Sequence, residues 1–138
     1  MALALAHGVL ARLHAPFDAA YAALLEIPIA SNIYHEALPT EPRVAVAVGE
    51  KYFIRAGNSL SATTILVEDG PATLVKVVAT GAREGFLDFF DLGSSRDYTH
   101  LVLQGLAERT GAGYEVIAEV DRLDAGKARA LWGAGSRG

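Results

Sequence analysis

The chain has 138 residues, of which 51% are hydrophobic and 20% charged, with a formal net charge of −4 and no cysteine. This length and composition predict one globular domain. The lack of cysteine excludes disulfides, thiolate metal sites and cysteine nucleophiles. The sequence has no cluster of Lys and Arg to neutralise phosphates and no apolar run long enough for a membrane span. We therefore expect a cytoplasmic protein with no nucleic-acid or membrane partner.

The first predicted elements are a strand and a helix. Residues 8–14 alternate as a short strand does, although a helix continuing into the next element is the alternative, and residues 2–7 are ambiguous. Pro16 suits the first position of a helix, and apolar residues at helical spacing predict that helix over 16–26. Residues 31–37 are predicted to form a weak edge strand.

Three consecutive runs rich in Val, Ile and Thr between Arg43 and Thr80 predict an antiparallel meander. The runs are separated by Gly57-Asn58 and Asp69-Gly70, pairs that supply the positive φ of tight hairpin turns. Neither face of the predicted meander is plainly polar, so we expect cover on both faces, the second from a helix of this chain or from another subunit. Gly49, where the pattern of the first run falters, is a predicted bulge.

The segment after the meander is predicted to contain a turn, a short strand and a helix. Residues 81–93 contain aromatic residues that favour a strand around Phe86–Phe90. Ser94–Asp97 has the form of a capping box, which begins a helix over 95–109, and Gly111 suits the position after its end.

The C-terminal part is predicted to hold one more strand and a short helix. Tyr114–Val120 alternates Tyr114, Val116, Ala118 and Val120 against Glu115, Ile117 and Glu119. Asp124 is predicted to cap a short helix that ends near Trp132. The expected organisation is thus a single domain over 1–132 and a flexible tail over 133–138.

The meander also carries a series of turn motifs. An aromatic strand, a Gly-Asn turn, a Ser/Thr-rich strand and a turn after the next strand are found in Glu50–Tyr52, Ala56–Ser61, Thr64–Val67, Asp69-Gly70 and Val77–Gly81. This series resembles that of a small prokaryotic family catalogued only as a domain of unknown function. The chain departs from the family pattern at Ala56 and at Arg83-Glu84. The resemblance implies an α+β fold, with a curved antiparallel sheet backed by helices, and no activity.

One candidate site is an anion site at the start of the second predicted helix. Ser94 and Ser95 offer hydroxyls, Arg96 offers a guanidinium, and the helix start offers free N–H groups. Arg55 and Arg83 would add charge if their turns lie nearby. The alternative is that Ser94 only caps the helix and Arg96 lies in solvent.

A second candidate is a divalent metal site formed by Asp88, Asp91, Asp97 and His100. Asp97 and His100 are one helical turn apart and share a face of the helix, so a carboxylate from the preceding segment could complete the set. The alternative is a solvated acidic face, with Asp97 as a capping residue. No cofactor is predicted, because the Gly-x-Gly-x-x-Gly pattern of residues 133–138 lacks the strand and helix that it requires.

The sequence therefore predicts a single α+β domain with an antiparallel sheet of five or six strands, a central three-stranded meander and two main helices. Its apolar sheet faces predict a homo-oligomer, most simply a dimer. The preferred function is a non-enzymatic module that binds a small anion or a protein, in a hollow between helix 95–109 and small residues Ala45, Ala47 and Gly49. The alternative is a small hydrolase or metal-dependent enzyme that uses the Asp88, Asp91, Asp97 and His100 cluster.

Overall fold

The structure is a computed structural model that describes residues 6–28, 31–53, 58–81 and 95–133. Its elements in chain order are β1 (Ala6–Leu13), α1 (Phe17–Glu26), β2 (Ser31–Leu38), β3 (Val44–Phe53), β4 (Asn58–Asp69), β5 (Ala72–Thr80), α2 (Ser95–Thr110), β6 (Tyr114–Leu123) and a C-terminal 3-10 helix (Ala125–Leu131). In this part of the chain, no helix is long and apolar enough to cross a membrane.

The six strands form one antiparallel sheet in the order β2-β3-β4-β5-β1-β6. The predicted meander is confirmed as β3, β4 and β5, in which Val46 pairs with Ile65 and Ile65 pairs with Lys76. The N-terminal strand, β1, lies between β5 and β6, so β2 and β6 are the edges. The architecture is the predicted α+β single domain.

One face of the sheet, the inner face, is covered by α1 and α2. Alanines of β3 pack there with larger side chains of β4 and β5, because the two helices lie directly above them. The largest fully buried apolar members of this core are Val9, Leu13, Leu60, Leu66, Val75, Val77, Tyr98, Leu103 and Leu106. Burial of apolar side chains on this scale is the main stabilising contribution to such a domain.

The opposite face, the outer face, is covered in part by the 3-10 helix. Leu131 of that helix packs against Leu10 of β1 and Leu74 of β5 in a second, smaller cluster. The expectation that the second face needs cover is thus met by the chain itself at this end of the sheet. Val46 and Val48 of β3 remain partly exposed on the outer face, and the predicted homo-oligomer stays a prediction.

Two hairpin predictions have different outcomes. The loop between β4 and β5 consists of Gly70 and Pro71, since Asp69 pairs with Ala72, and Gly70 has a φ of +61°. The turn is therefore confirmed, one residue further along than the pair Asp69-Gly70. For the pair Gly57-Asn58, Asn58 begins β4, whereas Gly57 lies outside the described residues. The predicted strand at Phe86–Phe90 and the tail beyond residue 133 also lie outside the described residues.

Several helix boundaries are confirmed with small corrections. Pro16 is the N-cap of α1 and not its first helical residue, because its ψ of 159° is extended. Gly111 has a φ of +70° and its N–H donates to the carbonyl of Ala107 at 2.9 Å, as expected after a helix end. Asp124 caps the C-terminal helix by accepting from Lys127 N at 3.1 Å, although that helix is 3-10.

The bulge predicted at Gly49 lies instead in the neighbouring strand. Gly49 pairs with Asn32 of β2 and with Ala62 of β4, while Val48 pairs with Tyr34, so the extra residue is Ile33. An extra residue in the edge strand β2 disturbs one ladder, whereas an extra residue in β3 would disturb two. The edge strand is therefore the place where the irregularity costs less.

Candidate metal centre

The candidate site lies at the edge of the inner face where β1, β6 and α2 meet. Glu119 of β6 pairs with Val9 of β1. His7 lies two residues before Val9 and therefore points to the same side of the sheet. The helix α2 crosses this end of the inner face and supplies His100 to the same point.

A β-bulge turns Glu119 toward the inner face. Leu10 pairs with Ala118 and Ala11 pairs with Val116, which leaves Ile117 as an extra residue in β6. The predicted uninterrupted alternation of Tyr114–Val120 is therefore wrong. Tyr114 packs with the inner core, whereas Ala118 and Val120 pack with the outer cluster. Bulges commonly re-aim side chains next to functional sites, and this one re-aims Glu119.

A second register shift between β1 and β6 places Asp121 next to His7. Ala6 pairs with Leu123 and Gly8 pairs with Val120, so Asp121 and Arg122 both lie opposite His7. Arg122 has a φ of +51°, a left-handed conformation that is uncommon for a residue other than glycine and that coincides with this bulge. The side chain of Asp121 consequently reaches the ring of His7.

Each histidine of this cluster lies within hydrogen-bonding distance of a carboxylate, and Arg96 lies within ion-pair distance of one. Oε2 of Glu119 lies 2.6 Å from Nε2 of His7 and 2.7 Å from Nε2 of His100. The other ring nitrogen of His7, Nδ1, lies 3.0 Å from Oδ1 of Asp121. The guanidinium Nε of Arg96 lies 3.6 Å from the same Glu119 oxygen. Two imidazoles and one guanidinium thus converge on one carboxylate.

The cluster is closed on one side and open on the other. The side chain of His7 is 3% exposed, whereas those of His100 and Glu119 are 23% and 27% exposed. Partial burial by itself would raise the pKa of the Glu119 carboxyl, but the hydrogen bonds from His100 and His7 outweigh it and lower that pKa. Glu119 is therefore held as a carboxylate, the form in which it ligates a metal.

The predicted metal residues are only partly brought to this place. His100 belongs to the cluster, with partners that differ from those expected. Asp97 lies on α2 and lines an open groove beside His100. Asp88 and Asp91 lie outside the described residues. The cluster of His7, His100 and Glu119 is the one that, among the described residues, has the composition and spacing of a metal ligand set.

The residues of the predicted anion site are also not brought together among the described residues. Arg96 is exposed, whereas Ser95 is 3% exposed and its Oγ has no hydrogen-bond partner within the described part of the chain. The structure therefore does not bring these two neighbours to one surface. Ser94, Arg55 and Arg83 lie outside the described residues.

The hollow expected between α2 and the sheet exists and is small. It is lined in part by Ala47, Gly49, Tyr98 and Val102, and its volume is about 20 Å³, which suits a single water molecule. Burial, with a smaller contribution from the charge of Glu50, raises the pKa of Tyr98 to about 12. The hydroxyl of Tyr98 therefore keeps its proton at neutral pH. Binding of a ligand in this hollow stays a prediction.

No pattern in the sequence groups His7, Glu119 and Asp121. His7 and Glu119 are 112 residues apart, and no motif links them. The available signal was the pair of acidic residues Glu119 and Asp121, two residues apart at the end of a predicted strand. That signal lacked a partner because the pairing of β1 with β6 is not visible in the pattern of either strand.

Comparisons with known proteins show a family and leave the activity open. The family model described as "Family of unknown function (DUF6054)" matches residues 33–109, more than half of the chain. The match includes Arg96 and His100 but not His7 or Glu119. No curated protein matches the chain. The chain is similar to the crystal structure of the adenosylmethionine decarboxylase from Aquifex aeolicus VF5, with a TM-score of 0.48, 10% identity and coverage of 90% of this chain and 97% of that chain.

Proposed function

This chain belongs to DUF6054, a family of unknown function, and we propose that it binds a divalent transition-metal ion between His7, His100 and Glu119. The observation that carries the proposal is the convergence of two imidazole nitrogens and one carboxylate oxygen, all within 4.8 Å of one another. One of the imidazoles is almost fully buried, so the set is partly built into the core.

The donor types favour zinc and its neighbours in the first transition row. Imidazole nitrogen suits Zn²⁺, Ni²⁺, Cu²⁺ and Fe²⁺, whereas Mg²⁺ and Ca²⁺ prefer sets made only of oxygen. Two histidines and one glutamate also form the ligand set of known zinc sites that keep one position open for water or another molecule. We therefore expect an ion with three protein ligands and at least one open coordination position.

The cluster needs a small opening to accept such an ion. Tetrahedral ligands at about 2.0 to 2.1 Å from zinc lie about 3.3 Å from one another. Oε2 of Glu119 is now 2.6 Å from Nε2 of His7 and 2.7 Å from Nε2 of His100. A shift of roughly 0.6 to 0.7 Å brings these two pairs to that separation, and the ligand atoms of His7 and His100 already lie within 4.8 Å of each other. Rotation of the partly exposed His100 and Glu119 side chains supplies that shift without moving the buried His7.

Asp121 orients the ring of His7 for metal binding. Its carboxylate accepts from Nδ1–H of His7, which orients the ring so that Nε2 faces Glu119. Metal-binding histidines commonly donate their second N–H to a carboxylate in this way. Metal ions bind imidazole nitrogens and carboxylates in their deprotonated forms, so the ion competes with protons for the three ligand atoms and its affinity falls as the pH falls.

The test is calorimetric titration of the chelator-treated protein with Zn²⁺, Ni²⁺ and Mg²⁺ at pH 7.5. We expect saturable 1:1 binding of Zn²⁺ and Ni²⁺, a binding enthalpy that varies with the buffer because protons are released, and no binding of Mg²⁺. His100→Ala should weaken zinc binding at least about tenfold, as expected for the loss of one of three ligands.

The matched control is His14→Ala, because His14 is 55% exposed and lies 3.7 Å from Glu115, away from the cluster. This variant should bind zinc as the wild type does. Equal zinc affinities in the wild type, His100→Ala and His14→Ala would overturn the proposal, as would a titration of the wild type without saturable heat.

A further inference from the structure

An open groove runs beside the proposed metal centre along the first turns of α2. It has a volume of about 460 Å³ and is lined by Arg96, Asp97, His100, Leu101 and Gln104. This volume is in the range of small-molecule sites. Because His100 belongs both to the groove and to the ligand set, a molecule in the groove lies next to the metal position.

We propose that the groove binds a small monocarboxylate, whose oxygens complete the coordination of the ion and pair with Arg96. This inference rests on the proposed metal site. The ion has an open position for such a ligand, since the protein supplies three donors. His7 is buried, so the approach lies on the side of His100 and Arg96, where the side chains are 23% and 53% exposed.

Arg96 is placed to pair with the carboxylate of the proposed ligand. Its Nε faces Glu119 at 3.6 Å, and an arginine has further N–H donors in a planar fork that matches a carboxylate. Arg96 and His100 are four residues apart on α2 and therefore lie on one side of the helix. A single carboxylate between them meets the ion and the guanidinium together.

The charges of the site favour a monoanion over a phosphate dianion. A divalent ion with Glu119 leaves one positive charge, and Arg96 adds another. Asp121 beside His7 and Asp97 in the groove bring two negative charges. The site is then neutral in total, and a single negative charge is attracted only by the ion and Arg96, the two groups that it would touch directly. A phosphate would add a second negative charge next to Asp97, which opposes binding. The amide of Gln104 offers a neutral donor to a polar group on the rest of the ligand.

The experiment uses the full chain loaded with Co²⁺, whose visible absorption spectrum reports its coordination. Acetate and inorganic phosphate are titrated separately into the loaded protein. We expect acetate to change the cobalt spectrum saturably, and phosphate to bind at least about tenfold more weakly, because of the charge on Asp97. Arg96→Met should retain Co²⁺ and bind acetate about ten to a hundred times more weakly, the loss expected for one charge-assisted interaction.

Arg109→Met is the matched control, because Arg109 lies on the same helix but at its far end, 3.7 Å from Glu26. Its acetate affinity should equal that of the wild type. If Co²⁺ does not bind, both this inference and the metal site are overturned. If Co²⁺ binds but acetate leaves its spectrum unchanged, or binds equally to Arg96→Met, only the groove ligand is overturned. Equal or tighter binding of phosphate would overturn the assignment to a monocarboxylate.

Discussion

Replacing Glu119 with glutamine tests the electrostatics of the cluster without reference to any metal. The carboxylate accepts from both histidines, and His7 has an exposed fraction of only 3%. Both bonds go to the same oxygen, Oε2, so the amide oxygen of glutamine can accept both, and each bond changes from charge-assisted to neutral. Bonds to charged groups contribute about 1.5 to 3 kcal/mol each and neutral bonds about 0.5 to 1.5 kcal/mol, so each bond is weakened by roughly 1 to 1.5 kcal/mol. Asp121 still faces His7, so we expect Glu119→Gln to lower the free energy of unfolding by about 2 to 3 kcal/mol.

The stability difference between the wild type and Glu119→Gln should depend on pH. The folded-state pKa of Glu119 is lowered from 4.5, so its stabilising contribution is complete above the unfolded value and is lost as the pH falls through the lowered folded value. The difference between wild type and variant should therefore be largest near neutral pH. It should shrink below about pH 4.5 as the carboxylate of the wild type takes up a proton.

The assay is urea unfolding followed by circular dichroism at pH 7, 5 and 3.5, with a chelator present so that metal does not contribute. Glu115→Gln is the control, because this residue lies on the same strand, is 58% exposed and makes longer contacts of 3.8 Å to Arg12 and 3.7 Å to His14. Its unfolding midpoint should stay close to that of the wild type. A Glu119→Gln variant as stable as this control at pH 7 would refute the reasoning.

Two further predictions concern the fold. Gly81→Ala should lower the free energy of unfolding by about 2 kcal/mol or more, because Gly81 has a φ of +108° and an added Cβ would lie 2.9 Å from the carbonyl oxygen of Ser59. Gly113→Ala, where no atom lies within 4 Å of the added Cβ, should leave the urea midpoint nearly unchanged, and equal effects would contradict this account. The partly exposed valines of the outer face predict self-association, so light scattering should report a dimer that Val46→Glu dissociates, whereas a monodisperse wild-type monomer would exclude it.

Local patterns in the sequence predicted most of the elements. Alternating and β-branched runs predicted β3, β4 and β5, because neighbouring strands joined by tight turns depend on residues close in the chain. The α2 helix and the position of Gly111 after its end followed from helical spacing and from the freedom of glycine at positive φ. The cap at Asp124 followed from the preference for a side-chain acceptor at a helix start.

Local patterns in the sequence indicate the candidate site only in part. Arg96 belongs to the predicted anion site because it lies at the start of the helix, and His100 belongs to the predicted metal site because it lies one helical turn after Asp97. Their partners in the sequence-based hypotheses were other residues of the same neighbourhood, since periodicity relates only residues that are close in the chain. Local spacing therefore indicates the residues of the cluster that lie on α2 and not those that lie on β1 and β6.

The sequence by itself determined which segments become strands and helices, since those preferences depend on spacing, turn residues and caps. Only the tertiary structure decided that β1 enters the sheet between β5 and β6, and the pairing of β1 with β6 joins segments more than a hundred residues apart. It also decided that an extra residue at Ile117 reverses the faces of β6 and directs Glu119 toward His7. A bulge arises from the register between two strands, so neither strand alone contains it, and the cluster exists only once they pair.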